Sequence, residues 1–213
     1  MADMHIRAQE KTVGRSADGT MVGQRGDRSG MSYFDDQIWA LALEGRVYVA
    51  SDADQNDVVT GQTSFANTTP TFLLDVPLGT IAIPLFANLA QAGTVAGGAI
   101  DVLFEIDDVV RYSTGGTSEA ALCLRTSGGV TKACSLYSGA TAVAGYGIML
   151  DHLMAIPADV APAVTEMYEY HQIRFRPPVP AFLVGPAAFL VYTYAGTTGP
   201  SWNWSIGWAE LPA

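Results

Sequence analysis

Charged residues are scarce in this sequence. Charged residues make up 15% of the 213-residue chain, whereas an average globular protein carries about 25%. A folded domain with so few charges must cover much of its outside with uncharged side chains. This composition favours a protein whose surface contacts other subunits. A compact monomer with a surface of Ser, Thr and Gly is the alternative that composition leaves open.

Basic residues are scarcer than acidic ones, with 11 Lys and Arg against 21 Asp and Glu and a net charge of −10. Residues 1–30 hold five basic and four acidic side chains, a net of +1, which leaves −11 for residues 31–213. Proteins that bind nucleic acid need clustered Lys and Arg to neutralise phosphates. The sequence therefore predicts that the folded body does not bind nucleic acid directly.

Cysteine and histidine are also few, with two and three in the chain. Two cysteines make no disulfide framework, and no two histidines have the spacing of metal ligands on one element. The sequence lacks a phosphate-binding loop, a nucleophile elbow, a zinc-protease helix and a dinucleotide fingerprint. We therefore expect no catalytic residues, no metal and no cofactor, and a protein that is not an enzyme.

Long apolar runs are absent as well. No segment reaches the ~20 apolar residues that a transmembrane helix needs. The first residues, MADMH, lack the apolar region of a secretory signal. We expect a soluble protein that is made in a cytoplasm-like compartment and has no membrane partner.

The N-terminal 30 residues are rich in glycine and show no apolar period, so they are interpreted as an extended arm. Residues 31–213 are interpreted as one domain. At its start, Ser32 can cap a short helix that Gly45 ends. A strand over residues 39–43 is the competing interpretation.

Beyond residue 45 the chain is divided by Gly, Pro and Asn into strand-like segments. They are residues 46–51, 57–66, 70–76, 80–87, 100–110, 119–126, 130–137, 141–151, 165–176, 187–194 and 201–209. About ten short strands with at most one short helix predict an all-β, antiparallel sandwich or barrel.

Two segments make specific predictions about neighbouring side chains. In residues 100–110 apolar side chains alternate with Asp101, Glu105 and Asp107, which predicts a strand whose outer face is wet. Residues 119–126 and 130–137 flank Gly-Gly, which predicts a hairpin with Cys123 opposite Cys134. That pairing places the Cα atoms about 5.5 Å apart, close enough for a disulfide, although a cytoplasmic origin favours free thiols.

The last strand-like segment concentrates the tryptophans. Trp202, Trp204 and Trp208 lie on one face, because side chains in a strand alternate between its two faces. This face has three interpretations, namely the core of a sandwich, which is favoured, a subunit interface, or a platform for sugars. Together with Tyr192 and Tyr194, these tryptophans are the candidate residues for assembly or ligand binding.

Three stretches carry a resemblance: LEGRVYVAS (43–51), NTTPTFLL (67–74) and the long alternating strand near 99–112. They resemble the virion structural proteins of bacteriophages. The resemblance implies a jelly-roll-type sandwich that oligomerises in or on a capsid, with an N-terminal arm that reaches neighbouring subunits.

This resemblance leads to our first hypothesis of function. We expect a shell or a decoration (cement) subunit, located in the virion and assembled in the host cytoplasm. Its partners would be copies of itself, with a trimer as one candidate, and other virion proteins. A carbohydrate-binding, lectin-like module or the receptor-binding head of a phage fibre is the alternative. An enzyme would require a carboxylate pair, for example among Asp101, Glu105 and Asp107, in a deep pocket.

Overall fold

The computed structural model describes residues 37–52, 57–92, 99–157 and 172–213. The predicted arm, residues 1–30, lies outside these ranges, as does Ser32, the predicted helix cap. The described residues form one helix, α1 (Gln37–Leu43), and fifteen strands. The strands are β1 (Val47–Ser51), β2 (Val59–Thr60), β3 (Phe72–Val76), β4 (Thr80–Gln91), β5 (Ala99–Asp107), β6 (Tyr112–Thr114), β7 (Thr117–Ser118), β8 (Ala121–Cys123), β9 (Ser135–Ser138), β10 (Thr141–Ala142), β11 (Ile148–Pro157), β12 (Gln172–Phe175), β13 (Leu183–Val184), β14 (Ala187–Ala195) and β15 (Ser201–Pro212).

Two large sheets pack against each other. The seven-stranded sheet has the order β12-β4-β15-β1-β8, with β13 beside β4 and β2 beside β15. The six-stranded sheet has the order β11-β5-β14-β3-β9-β7, and β10 pairs separately with β6. All of these strand pairs are antiparallel. The prediction of an all-β, antiparallel sandwich is confirmed, while the strands outnumber the expected ten because connecting segments add pieces of two or three residues.

The face of β15 that carries the tryptophans lies between the sheets. Trp202 and Trp208 are fully buried, and Trp204 is nearly so. The Trp204 ring lies 4.8 Å from that of Phe72 on the opposite sheet, and Trp208 lies 6.1 Å from Tyr48. These aromatic contacts, together with the area that each indole buries, make β15 the main contributor to the core.

The short helix is present, so the competing strand over residues 39–43 is wrong. It ends at Leu43, two residues before Gly45, whose φ of +73° is readily adopted only by glycine. The N–H groups of Gly45 and Arg46 donate back to the carbonyls of Ala42 and Leu41, which closes the helix end. Leu41 and Ala42 then pack on the outer face of the seven-stranded sheet.

The predicted cysteine hairpin is wrong. β8 pairs with β1, which places Cys123 opposite Tyr48, whereas β9 pairs with β3 and β7 in the other sheet. The Gly-Gly turn does not close a hairpin, because the backbone near it bonds elsewhere: the Val130 N–H donates to the Gly45 carbonyl. Both cysteines are free thiols.

A buried carboxylate stabilises the segment in which the chain passes from one sheet to the other. Glu210 on β15 accepts hydrogen bonds from the N–H groups of Ala133 and Cys134, at 2.6 and 3.1 Å. It also accepts one from the Trp208 indole, at 2.8 Å. These bonds satisfy backbone donors that a hairpin would otherwise have paired.

Several predicted strand bounds need correction. The segment 57–66 contains only β2, because the chain turns at Gly61 and Gln62 donates to the Thr193 carbonyl of the other sheet. The strand at 80–87 continues to Gln91, and 141–151 divides into β10 and β11. The last of these, β11, runs to Pro157, beyond the predicted end at residue 151. Of the strand predicted at 165–176, only β12 lies among the described residues.

Candidate functional site

The aromatic residues predicted for assembly or ligand binding do not form an exposed platform. The three tryptophans of β15 face the core. Tyr192 is buried under Phe65, with ring centroids 5.2 Å apart, and Tyr194 lies 5.8 Å from the same ring. The Tyr192 hydroxyl donates to the Asn67 carbonyl, and burial raises the pKa of Tyr192 to about 12. The burial of the tryptophans fits the core interpretation, whereas Tyr192 and the half-buried Tyr194 pack in a separate cluster on the outer face of the six-stranded sheet.

Loops cover much of the outer face of the six-stranded sheet, so the prediction of a wet face on β5 is wrong at Glu105, while Asp101 stays partly exposed. Glu105 is 4% exposed and Arg111 is 1% exposed. The Arg111 guanidinium pairs with Asp107 at 2.7 Å and donates to the carbonyls of Asn67, Val143 and Gly145. One buried cation therefore ties the end of β5 to two separate loops.

The carboxylates that an enzyme hypothesis would need are engaged in contacts within the fold. Asp107 pairs with Arg111, and Asp101 lies 3.4 Å from the His152 imidazole. Burial raises the pKa of Glu105, and this effect is opposed by the nearby Arg111 charge and by a hydrogen bond from the Gly147 backbone. The pair of Asp107 and Arg111 holds the loop layer of the sheet, whereas Asp101 and His152 lie on the neighbouring strands β5 and β11.

Acidic side chains also meet at one end of the sandwich. Asp52, Asp57 and Glu119 line a cleft of about 360 Å³. Burial raises the pKa of Asp52 to about 6, with contributions from the charges of Asp57 and Glu119 and an opposing hydrogen bond from the Trp204 N–H. Among the residues that the structure describes, no three His, Cys, Asp or Glu side chains are grouped to hold a metal ion.

The outer face of the seven-stranded sheet is divided into a polar half and an apolar half. The polar half forms a pocket of about 520 Å³ between β12, β4 and β15. Its polar lining includes Asn88, Asn203, Ser205, Arg174 and Arg176. On β4 and β15, Asn88, Asn203 and Ser205 alternate with buried apolar side chains, which is why the sequence pattern places them outside.

The apolar half forms a groove between α1 and the sheet. This apolar groove, of about 670 Å³, is lined by Trp39, Leu43, Leu85, Phe86 and Leu124 among others. Trp39 is 70% exposed, unlike the tryptophans of β15. The Phe86 ring lies directly against Gly207 of β15, because a Cβ at that position would lie 2.4 Å from the ring.

Two arginines border the apolar groove on a body that is otherwise acidic. Arg125 and Arg176 both line it, and Arg176 also lines the polar pocket. The Arg125 guanidinium donates to the Leu43 carbonyl at 3.1 Å, at the end of α1. The predicted short helix was the feature of the sequence that pointed to this groove, because it contains Trp39 and precedes a series of strands. The contribution of Leu124 depends on the pairing of β8 with β1, which the sequence did not indicate.

Comparisons of the chain with protein-family models, curated proteins and solved structures found no match. In the described part of the chain, no helix has the length and apolar character to cross a membrane.

Proposed function

We propose that the sandwich is a jelly roll, and the order of its strands supports this. Eight of the strands pair in a nested order, the first with the last and so on inwards: β1 with β15, β3 with β14, β4 with β12, and β5 with β11. The pairs then join through β15–β4 and β14–β5. This nested order is the one expected from a long hairpin rolled into two four-stranded sheets, which supports a jelly roll, a fold that occurs in viral capsid proteins, lectins and cupins.

We propose further that the chain is a structural subunit of a bacteriophage particle, a shell or decoration (cement) protein. It would act by assembling with itself and with other virion proteins, without catalysis or a cofactor, after synthesis in the host cytoplasm. The strand order is the observation that carries this proposal. The apolar groove adds to it, because an exposed tryptophan among other exposed apolar side chains is typical of an interaction site.

Light scattering coupled to size-exclusion chromatography tests the proposal on the full chain. A subunit that assembles gives a mass several times the 22.5 kDa of the chain, rising with protein concentration. Electron microscopy of the same fractions would then show rings, shells or other regular assemblies. A mass of one chain from micromolar to about 100 μM would contradict the proposal, since structural subunits meet at high local concentration.

The polar pocket favours a lectin-like module or receptor-binding head as the second candidate. Asn88, Asn203, Ser205 and Arg174 offer amide, hydroxyl and guanidinium groups that suit sugar hydroxyls. Trp204 lines the same pocket but is nearly buried, so ring stacking with a sugar has little surface. A glycan array distinguishes the two candidates, because binding that Asn203→Ala abolishes would favour the lectin.

A further inference from the structure

The molecule carries a second exposed apolar surface, of opposite charge to the groove. We define the acidic apolar patch as Asp108, Val109, Val110, Tyr146 and Ile148, which are exposed residues near the end of β5 and the start of β11. Tyr146 is 80% exposed and Ile148 is 70% exposed. The patch lies at the β11 edge of the six-stranded sheet, because β11 runs beside β5 with Ile148 opposite Ile106. The groove lies on the outer face of the other sheet.

We propose that the apolar groove of one chain binds the acidic apolar patch of a second copy. The groove has arginines at its border, Arg125 and Arg176, and the patch has Asp108. Apolar side chains in the centre with opposite charges beside them give both affinity and a defined orientation. This inference rests on the proposed assembly function and names the two surfaces that carry it.

Charge also argues against other occupants of the groove. Two grooves placed face to face would put four arginines and no acidic lining residue into one interface, and two patches would put two aspartates there without a basic partner. A head-to-tail contact between different surfaces satisfies both charge and apolar burial. Such contacts produce closed rings or open arrays.

A mixing experiment with two variants tests this interface. Trp39→Glu removes the groove of one variant, and Ile148→Glu removes the patch of the other. We expect each variant alone to associate at least tenfold more weakly than the wild type, because a charge replaces a central apolar contact. Mixed together, they retain one intact groove and one intact patch. The mixture should therefore form a 1:1 complex of twice the 22.5 kDa chain mass and stop there.

Controls separate loss of the interface from loss of the fold. Leu78→Glu changes a side chain that is 81% exposed and belongs to neither surface, so it should assemble like the wild type. Leu124→Glu and Tyr146→Glu replace the first pair if either variant unfolds, as judged by circular dichroism. For the charges, Arg176→Glu should weaken association, and adding Asp108→Arg to the same chain should restore it to within about threefold of the wild type.

The outcomes distinguish this inference from the proposed function. A wild type that assembles normally, with Trp39→Glu and Ile148→Glu assembling equally well, leaves the function standing and overturns the interface. Two weakened variants that do not complement each other overturn the pairing of these surfaces. A photo-crosslinker at position 39 should join residues 108–110 or 146–149 of another chain. A cross-link to residues 1–36 would overturn the inference in favour of the N-terminal segment, and a wild type that never assembles overturns both proposals.

Discussion

Removing the buried guanidinium of Arg111 should destabilise the whole loop layer over the six-stranded sheet. In Arg111→Met, Asp107 would lose its partner at 2.7 Å, and the carbonyls of Asn67, Val143 and Gly145 would lose a charged donor. Breaking a buried ion pair by removing one partner costs about 3–5 kcal/mol. Methionine fills much of the volume, so little of this cost comes from a cavity.

Urea unfolding measures the effect as a loss in the free energy of unfolding. For a chain of this length, 3–5 kcal/mol corresponds to a fall in melting temperature of roughly 10 °C. The matched control is Arg46→Met, which removes an arginine whose pair with Glu44 is 3.4 Å long and partly exposed. Surface pairs of this kind contribute about 0–1 kcal/mol.

The same variant should loosen the loops before the sheets. Hydrogen exchange is expected to rise in residues 62–70 and 139–147, since both segments are held through Arg111. The reasoning would be refuted if Arg111→Met lost no more stability than Arg46→Met. It would also be refuted if exchange rose equally in all strands and not first in these segments.

Three further predictions concern single side chains. Trp202→Ala should cost about 3–5 kcal/mol of unfolding free energy, whereas Trp39→Ala should change it by about 0.5 kcal/mol or less, because only the first indole is fully buried. The pKa of Asp52 is raised to about 6, so the folded protein favours its neutral form. The free energy of unfolding should therefore fall as the pH rises from about 4 through 6, by about 1 kcal/mol after allowing for screening. Asp52→Asn should remove this dependence on pH. Cys123 should react with a thiol reagent in the native protein at least about a hundredfold faster than Cys134, whose thiol is buried and has a raised pKa.

Each of these predictions has an outcome that contradicts it. Equal costs for the two tryptophan variants would mean that β15 does not face the core. An unfolding free energy that depends on pH in the same way in Asp52→Asn would assign the dependence to another group. Equal modification rates of the two thiols would show that the region around Cys134 opens as readily as the exposed edge near Cys123.

The sequence predicted the central layers of the fold better than their cover. The alternation in residues 201–209 requires one face of the strand to be apolar, and that face is buried as expected. The pattern of β5 was equally regular, but alternation cannot tell water from a loop that folds over the charged side. The alternation could not show that Arg111 holds loops over this face. Its hydrogen bonds to Asn67 and Val143 connect parts of the chain that are 44 and 32 residues away.

The predicted hairpin at Gly128 and Gly129 also shows what local sequence cannot decide. Gly128 adopts a positive φ, as a turn requires, so the local chemistry was interpreted correctly. The pairing partners were not, since the backbone on either side of the turn bonds to Val47 and Gly45 near the start of the domain. Local turn residues fix a bend, while strand pairing is decided by distant segments that compete for the same N–H and carbonyl groups.

The position of β15 between β4 and β1 determines when this domain can fold. Its Ala209 lies opposite Val47, so the pair closes a loop of more than 150 residues. Closing such a long loop is slow, because its entropic cost arises before the stabilising contacts have formed. A nascent chain therefore holds Tyr48 and Phe72 without their tryptophan neighbours until β15 emerges, and during that interval the unfinished sandwich is a substrate for chaperones.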